Sequence, residues 1–399
     1  KDFAEAIFLK SIARAHDPHS DYLSLNEMQE FNADLSPEKV SFGLDLTEAP
    51  SGDVVVSRIV PGGPAWKAGQ FRKGDQIIEI RYENGAAIDL TDFSVDEVHN
   101  ALNNQDGLKA EFTLTTPNGE TRVASLSKSK IENTENSIYS YILKDANHSI
   151  GYIQLPGFFS SEEFESQNGC ASEIAKEIIR LNRSNVQGLI LDLRFNGGGH
   201  LKEAIELSGI FVDSGPLAVL EQRGGETLSI KDFNRGQAFF GPLLIMVNGF
   251  SASASVLVAS SLQDYRRAII VGGNTFGKAT GQIIVPLKEE KNNADFLKTT
   301  IHKIFRINQS TAQYKGVLPD IQLPDLTDIS KERERNYSNP MKFETTSKKT
   351  YYSPYAGYEI PTLRDKSAER VKSNSDFQSI KKFIETFDSP LSLKENSLV

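Results

Sequence analysis

The sequence predicts an α/β protein whose strand-and-helix core carries an inserted β-rich module and helical terminal segments. Two observations carry the core and the insert. From Ser149 onward apolar strand runs alternate with amphipathic helical runs, whereas between about Val40 and Ile131 short β-branched runs are broken by Gly, Pro and Asp. A third is that both ends of the chain read as helix. At 399 residues the chain has room for two or three domains.

The elements follow in order. Lys1 to Arg14 (KDFAEAIFLKSIAR) is helical, and because the chain opens inside that pattern a further upstream piece is expected. HDPHSDYLS, His16 to Ser24, is a polar, turn-rich stretch leading into a second short helix that ends near Leu35. Residues 1–37 therefore form a helical segment. Residues 38–130 form the β-rich module, with strands at VSFGLDL, VVVSRIV, DQIIEI, AEFTLTT and RVASLSKS and one helix at SVDEVHNALNN. Residues 131–330 form the core: a strand at SIGYIQLPG, a helix from Ala171 to Leu181, a buried strand from Gly188 to Arg194, the turn FNGGGH, a helix from Leu201 to Phe211 and a strand at PLLIMVN. Residues 331–399 are a charged, irregular extension closing in a helix around DFQSIKKFIETF.

Composition is that of an ordinary globular protein, 39% hydrophobic and 24% charged. A net charge of −9 and a pI near 5.4 argue against nucleic acid or an anionic membrane surface as the main partner. The single cysteine, Cys170, excludes an internal disulfide framework and a Cys-based zinc site.

GGNTFGKATGQ, Gly272 to Gln282, nearly spells a phosphate loop, but Ala279 stands where the Mg²⁺-binding hydroxyl belongs. A β-like run, GQIIVPLK, follows where the loop needs a helix start. Taken alone, Lys278 is then an ordinary surface lysine. The text upstream changes that. GFSASASVLVASSLQDYRRAIIVGG places small residues from Ser251 to Ser255 where a chain can turn sharply from strand to helix with backbone N–H groups exposed. The G-x-S-x-G elbow is absent, and of the six histidines only His200 lies by a glycine turn, where it reads more simply as a helix start. A serine nucleophile would need another base, and a lysine serves if an apolar pocket, such as Ala268 to Val271 with Phe276, lowers its pKa from about 10.4.

The run FSASAS … LQDYRRAIIVGGNTFGKATGQ resembles the carboxy-terminal processing, or tail-specific, proteases, and the resemblance continues through LILDLRFNGGG, ELSGIFVDSGP, KGVLPDIQLP and DPHSDYLS over nearly the whole chain. It implies a crotonase/ClpP-like ββα core. It also implies a serine endopeptidase of the periplasm or cell envelope that uses no metal or nucleotide. The nucleophile falls on Ser253, the general-base lysine, 25 residues on, falls on Lys278, and a glutamine that orients the lysine falls on Gln282. The oxyanion hole is implied at the N–H of Ala254 with one from Gly198 or Gly199, although Asn196 to Gly199 also reads as a plain tight turn. Asp264 matches a position linked to activity in the family; a continuous helix from Ser253 would set it about 16 Å up the axis, where pairing with Arg266 or Arg267 is an equally good reading. Two residues depart from the family pattern, Val256 for a glutamate and Ala279 for a glycine.

Residues 38–130 resemble a PDZ domain, which these proteases carry. Phe42, Gly43, Leu44, Asp45 and Leu46 match the loop and strand that capture a peptide's C-terminal carboxylate while the peptide adds a strand to the sheet. Val98 and Leu102, four apart on one helix face, would meet the ligand's last side chain or pack in the core. The implied partners are proteins or peptides with apolar C-termini, whose binding would align serine and lysine; an adaptor protein that delivers them is a further partner to look for. Two other readings stay open: a catalytically silent, tail-binding relative, and an acyl-CoA enzyme on a crotonase-type fold. The last leaves the serine–lysine spacing and the PDZ-like module without a use.

Overall fold

The computed structural model describes residues 2–34, 38–83, 85–103, 107–132, 137–160, 169–234, 236–288 and 295–387. Leu35 and Asn104, at the ends of two expected helices, lie outside these. The chain divides into two compact units, Lys1–Phe31 with Asn136–Val399, and Asn32–Glu135.

The chain opens with α1 (Asp2–His16), β1 (Asp21–Leu23) and α2 (Leu25–Asp34). Ser24 and Glu27 exchange hydrogen bonds across the start of α2, a capping box that satisfies two orphan donors. The 32–135 unit then contains β2 (Glu38–Ser41), β3 (Leu44–Glu48), β4 (Val54–Ile59), α3 (Pro64–Ala68), β5 (Gln76–Tyr82), β6 (Ala87–Asp89), α4 (Val95–Asn103), β7 (Lys109–Thr115), β8 (Thr121–Ser127) and β9 (Ser129–Glu132). Five strands form an antiparallel sheet in the order β3-β4-β5-β7-β8, with β6 paired to β5, while β2 and β9 form a separate ladder. β7 alternates buried and exposed residues, so Ala110, Phe112 and Leu114 reach a core with Phe42, Val56, Ile77 and Ile80. A second capping box, Ser94 with Glu97, starts α4.

The larger unit continues with β10 (Tyr139–Lys144), β11 (Ser149–Gln154), α5 (Cys170–Arg183), β12 (Gly188–Asp192), α6 (Leu201–Gly209), β13 (Pro216–Gln222), β14 (Thr227–Lys231), β15 (Leu243–Val247), α7 (Ala254–Asp264), β16 (Ile269–Gly272), β17 (Thr280–Pro286), β18 (Phe296–Phe305) and β19 (Ile321–Gln322), and ends in α8 (Ile360–Ser373) and α9 (Ser375–Phe387). Its first sheet runs β10-β11-β12-β15-β16-β19, parallel except for the β10–β11 edge pair. Parallel strands covered on both faces read as unbroken apolar runs, which is why GLILD and LLIMV stand out in the sequence. α7 is buried along Ala254 to Leu262, as expected for a helix apolar or small all round. The second sheet runs β1-β18-β13-β14, with β17 also paired to β18.

The expectation of a separate helical segment over 1–37 needs correction. β1 pairs with β18, with Asp21 opposite Lys298, so the first 31 residues belong to the same compact unit as the core. Strand pairing across that sequence distance leaves no local trace. Among the described residues no helix is long and apolar enough to cross a membrane.

Candidate active site

β15 delivers the chain into the turn Asn248 to Ser253, and α7 leaves it. At Ser253 the backbone takes φ 55° and ψ −113°, outside the regions an L-residue ordinarily occupies. Such a conformation costs about 1–3 kcal/mol and persists only where the surroundings impose it. They do so here. Ser253 N–H donates to Lys278 O at 3.1 Å, Ala252 N–H to Asn196 O at 3.1 Å and Ser255 N–H to Ala252 O at 3.1 Å. The sharp turn expected from the small residues is therefore present without the G-x-S-x-G motif.

The three serines of the run are not equivalent. Ser251 Oγ donates to Leu193 O at 2.8 Å and Ser255 Oγ to Asn196 O at 2.9 Å, both fully buried. Ser253 is the N-cap of α7, yet its side chain makes no capping bond, and among the described hydrogen bonds its Oγ has no partner.

Gly198 lies against this turn. A Cβ there would sit 2.7 Å from Ser253 Cβ and 3.1 Å from Ala254 N, and its φ is +110°, so glycine is required twice over. Ala254 is the first residue of α7, whose N–H has no acceptor within the helix. The Gly198 N–H donates to Asn196 Oδ1 at 2.9 Å, while Gly199, exposed, forms a bridge with Phe158. Asn196 is the stitch between the two loops: buried, it also donates through Nδ2 to Leu155 O. The sequence flagged this residue only as part of a turn. Close by, Phe195 and Phe250 stack with ring centroids 5.9 Å apart, both N–H groups held by Asn248 Oδ1.

Lys278 enters from the other side, two residues before β17 begins at Thr280, so a strand stands where a phosphate loop would put a helix. Gly277, at φ +99°, abuts Tyr314 O, and Ala279 N–H donates to Gln313 Oε1 at 2.6 Å. The half-buried lysine donates Nζ to Gln282 Oε1 at 2.7 Å. Desolvation, reinforced by the like charge of Lys298 and only partly offset by Glu334 and Asp17, brings its pKa down from 10.5 to about 8. Among the described residues no hydrogen bond joins Lys278 Nζ to Ser253 Oγ.

Val256 and Ala279, the two departures from the family pattern, wall the same small pocket beside Ser253, together with Ala218, Leu257, Ile304 and Phe305. Asp264 ends α7, far from the serine. Its carboxylate pairs with the Arg306 guanidinium through both oxygens and accepts from Asn308 Nδ2 at 2.9 Å. The expected partners are thus corrected: Arg267 donates to Phe211 O and Phe239 O, and Arg266 sits at φ +52° past the helix end.

In the 32–135 unit β3 is an edge strand and α4 packs beside it. Phe42 and Leu44 are buried, Asp45 and Leu46 half-buried, and the Gly43 N–H donates to Ser41 Oγ at 3.1 Å. Val98 and Leu102 lie in the unit's hydrophobic core, Val98 with no exposed surface.

Residues 149–323 match the model of peptidase family S41, and residues 33–115 that of the PDZ domain. The chain is 28% identical over 383 residues to the tail-specific protease of Haemophilus influenzae, covering 94% of this chain and 54% of that protein. It is 28% identical over 310 residues to a probable CtpA-like serine protease of Staphylococcus aureus, covering 77% and 57%. The chain therefore spans about half the length of the curated relatives it matches. Among solved structures, a photosystem II D1 C-terminal processing protease is similar at 26% identity and a TM-score of 0.45, covering 79% of this chain and 80% of that one. Residues 149–323 are thus similar to peptidase family S41, and residues 33–115 to a PDZ domain.

Proposed function

We propose that the chain is a serine endopeptidase in which Ser253 is the nucleophile and Lys278 the general base, and which chooses substrates by apolar C-terminal tails read by the PDZ domain. The observation that carries the reading is the pairing of a strained serine with an otherwise unengaged hydroxyl and a lysine whose pKa has fallen to about 8. Neutral Lys278 takes the Ser253 Oγ proton as the oxygen attacks the scissile carbonyl. The resulting oxyanion is met by the Ala254 N–H and by the Gly198–Gly199 turn. The Gly198 N–H is engaged by Asn196 Oδ1, which leaves that of Gly199 as the second donor in this reading. The lysine then passes its proton to the leaving amine, and in the second half deprotonates the water that releases the acyl group. Gln282 holds the amine, and the amine's hydrogen bond to Ser253 Oγ forms when substrate is present, since catalytic bonds are often completed only in the complex.

For the tail, the edge of β3 beside α4 supports strand addition, with the Phe42 to Leu46 segment supplying backbone groups to the carboxylate; Val98 and Leu102, buried in the core, support α4 from within rather than meeting the ligand. The core we read as crotonase/ClpP-like, with strand–helix turns built around the oxyanion donors, and the family resemblance supports a place in the periplasm or cell envelope. Asp264 we assign a structural part.

The test is cleavage of an unstructured protein ending in Leu-Ala-Ala, set against the same protein ending in two aspartates. Cutting of the first alone, abolished in Ser253→Ala, is expected. Cutting that ignores the tail, or that survives in Ser253→Ala, would overturn the proposal, and binding of the tail without cutting would favour a silent tail-binding protein.

A further inference from the structure

The motif His16–Ser24 has no part in the mechanism above, yet it reaches the base. Between α1 and β1 the chain turns at Asp17, whose buried carboxylate accepts from His19 N–H at 2.8 Å, Ser20 N–H at 3.0 Å, Ser20 Oγ, and Thr300 Oγ1 at 3.0 Å. Burial opposes its ionisation, but these bonds outweigh it, and the pKa lies below the ordinary carboxylate value. On β18, Thr300 stands opposite Gln282 of β17 and lies 3.0 Å from its Nε2; Thr280 Oγ1 lies 3.0 Å from the same nitrogen.

The direction of this chain is dictated by its far end. An ionised carboxylate only accepts, so the single Thr300 hydroxyl proton points to Asp17, and the Thr300 oxygen can only accept from Gln282. The amide nitrogen of Gln282 is thereby turned toward Thr300 and its oxygen toward Lys278. A neutral amine facing that oxygen donates one N–H to it and keeps its lone pair for another donor. If the amide were reversed, its NH₂ would occupy the lone pair and the lysine could no longer act as a base.

We propose that Asp17 is a positioning residue for the general base, acting through Thr300 and Gln282 to fix which end of the amide faces Lys278. This rests on the serine–lysine reading. The same turn is held from a second side: His19 Nε2 is hydrogen-bonded to the buried carboxylate of Glu334, which accepts from Gln313 Nε2, and Gln313 Oε1 accepts from the N–H that follows Lys278. The motif thus grips both the side chain and the backbone of the lysine segment.

The experiment compares kcat, KM and the pH profile of kcat/KM for wild type, Asp17→Asn, Thr300→Val, Thr300→Ser and Lys278→Ala, using the tail-bearing substrate and checking folding by circular dichroism. Thr300→Val removes the link without changing charge, and kcat is expected to fall roughly tenfold or more at unchanged KM, since misdirected catalytic groups cost up to about 10²-fold; Thr300→Ser restores it. Asp17→Asn can present an amide NH₂ to Thr300 and reverse the chain, so kcat falls. It also removes a negative charge that raises the lysine pKa, among neighbours Lys298 and Glu334 that remain, so the acid limb moves to lower pH. That shift follows from the charge alone; a merely structural Asp17 would leave the Thr300→Val loss and its rescue by Thr300→Ser absent. Wild-type kcat in Asp17→Asn and Thr300→Val, or a Thr300→Val loss that Thr300→Ser does not rescue, would overturn the inference. Should Lys278→Ala turn over like wild type, the dyad itself, not the relay, would be at fault.

Discussion

Lys278 is held at a cost to stability that can be measured. Its pKa falls from 10.5 to about 8, so a group that is protonated in the unfolded chain resists protonation in the fold. At about 1.36 kcal/mol per pH unit, the folded state is disfavoured by about 3 kcal/mol below pH 8. The unfolded chain binds more protons between pH 8 and 10.5, so this penalty shrinks as pH rises through that window. Lys278→Met keeps the volume and removes the titration. It also leaves Gln282 Oε1 without the Nζ donor now 2.7 Å away, which costs about 1 kcal/mol. The expected result is an inactive variant more stable than wild type by about 2 kcal/mol at pH 7, an advantage that is gone by about pH 10 and slightly reversed at pH 10.5. Urea unfolding of both proteins at pH 7, 9 and 10.5 reads it directly. A variant less stable than wild type at pH 7, or a difference that does not change with pH, would refute a desolvated lysine.

Three further outcomes are expected. Gly198→Ala pushes a methyl to 2.7 Å from Ser253 Cβ at a left-handed φ, so kcat/KM should drop at least about a hundredfold while the protein still folds; near-normal turnover would separate the glycine turn from the chemistry. Asp264→Ala leaves the Arg306 guanidinium unpaired, and a loss of about 3–5 kcal/mol in unfolding free energy with kcat per folded molecule retained is expected, whereas lost kcat at unchanged stability would give Asp264 a part in catalysis. Ser251→Ala and Ser255→Ala each take one of two donors from a buried carbonyl, costing about 0.5–1.5 kcal/mol of stability, yet both should keep cutting, unlike Ser253→Ala.

What could be read in the sequence and what could not follows from where each residue's partners lie. The parallel strands announced themselves because burial on both faces demands unbroken apolar runs. Ser253 and Lys278 were proposed through the resemblance of their motifs to a known family, which needs no knowledge of the fold. Helix α8 was missed: it buries only Ser367 and Val371, so no apolar period marks it, and the available signals were Pro361 in its first turn and Arg370 and Lys372 in its last. β1 was hidden because three residues cannot reveal a partner near Lys298. Asp17 looked like turn punctuation, since its acceptor role depends on a threonine 283 residues away. Asp264 invited the nearest arginines, but the helix end turns Arg266 away and two backbone carbonyls occupy Arg267, leaving Arg306, 42 residues on, to make the pair.

The central claim is that Lys278 is the base for Ser253, and the most direct test is kcat/KM for Lys278→Arg beside wild type and Ser253→Ala on the Leu-Ala-Ala substrate. Arginine keeps the positive charge and hydrogen-bonding reach but does not give up its proton in a protein. The account predicts that Lys278→Arg is as inactive as Ser253→Ala across pH 6 to 10, while wild type gains activity as pH rises through about 8. Substantial turnover by Lys278→Arg would contradict it and send the search for the base elsewhere.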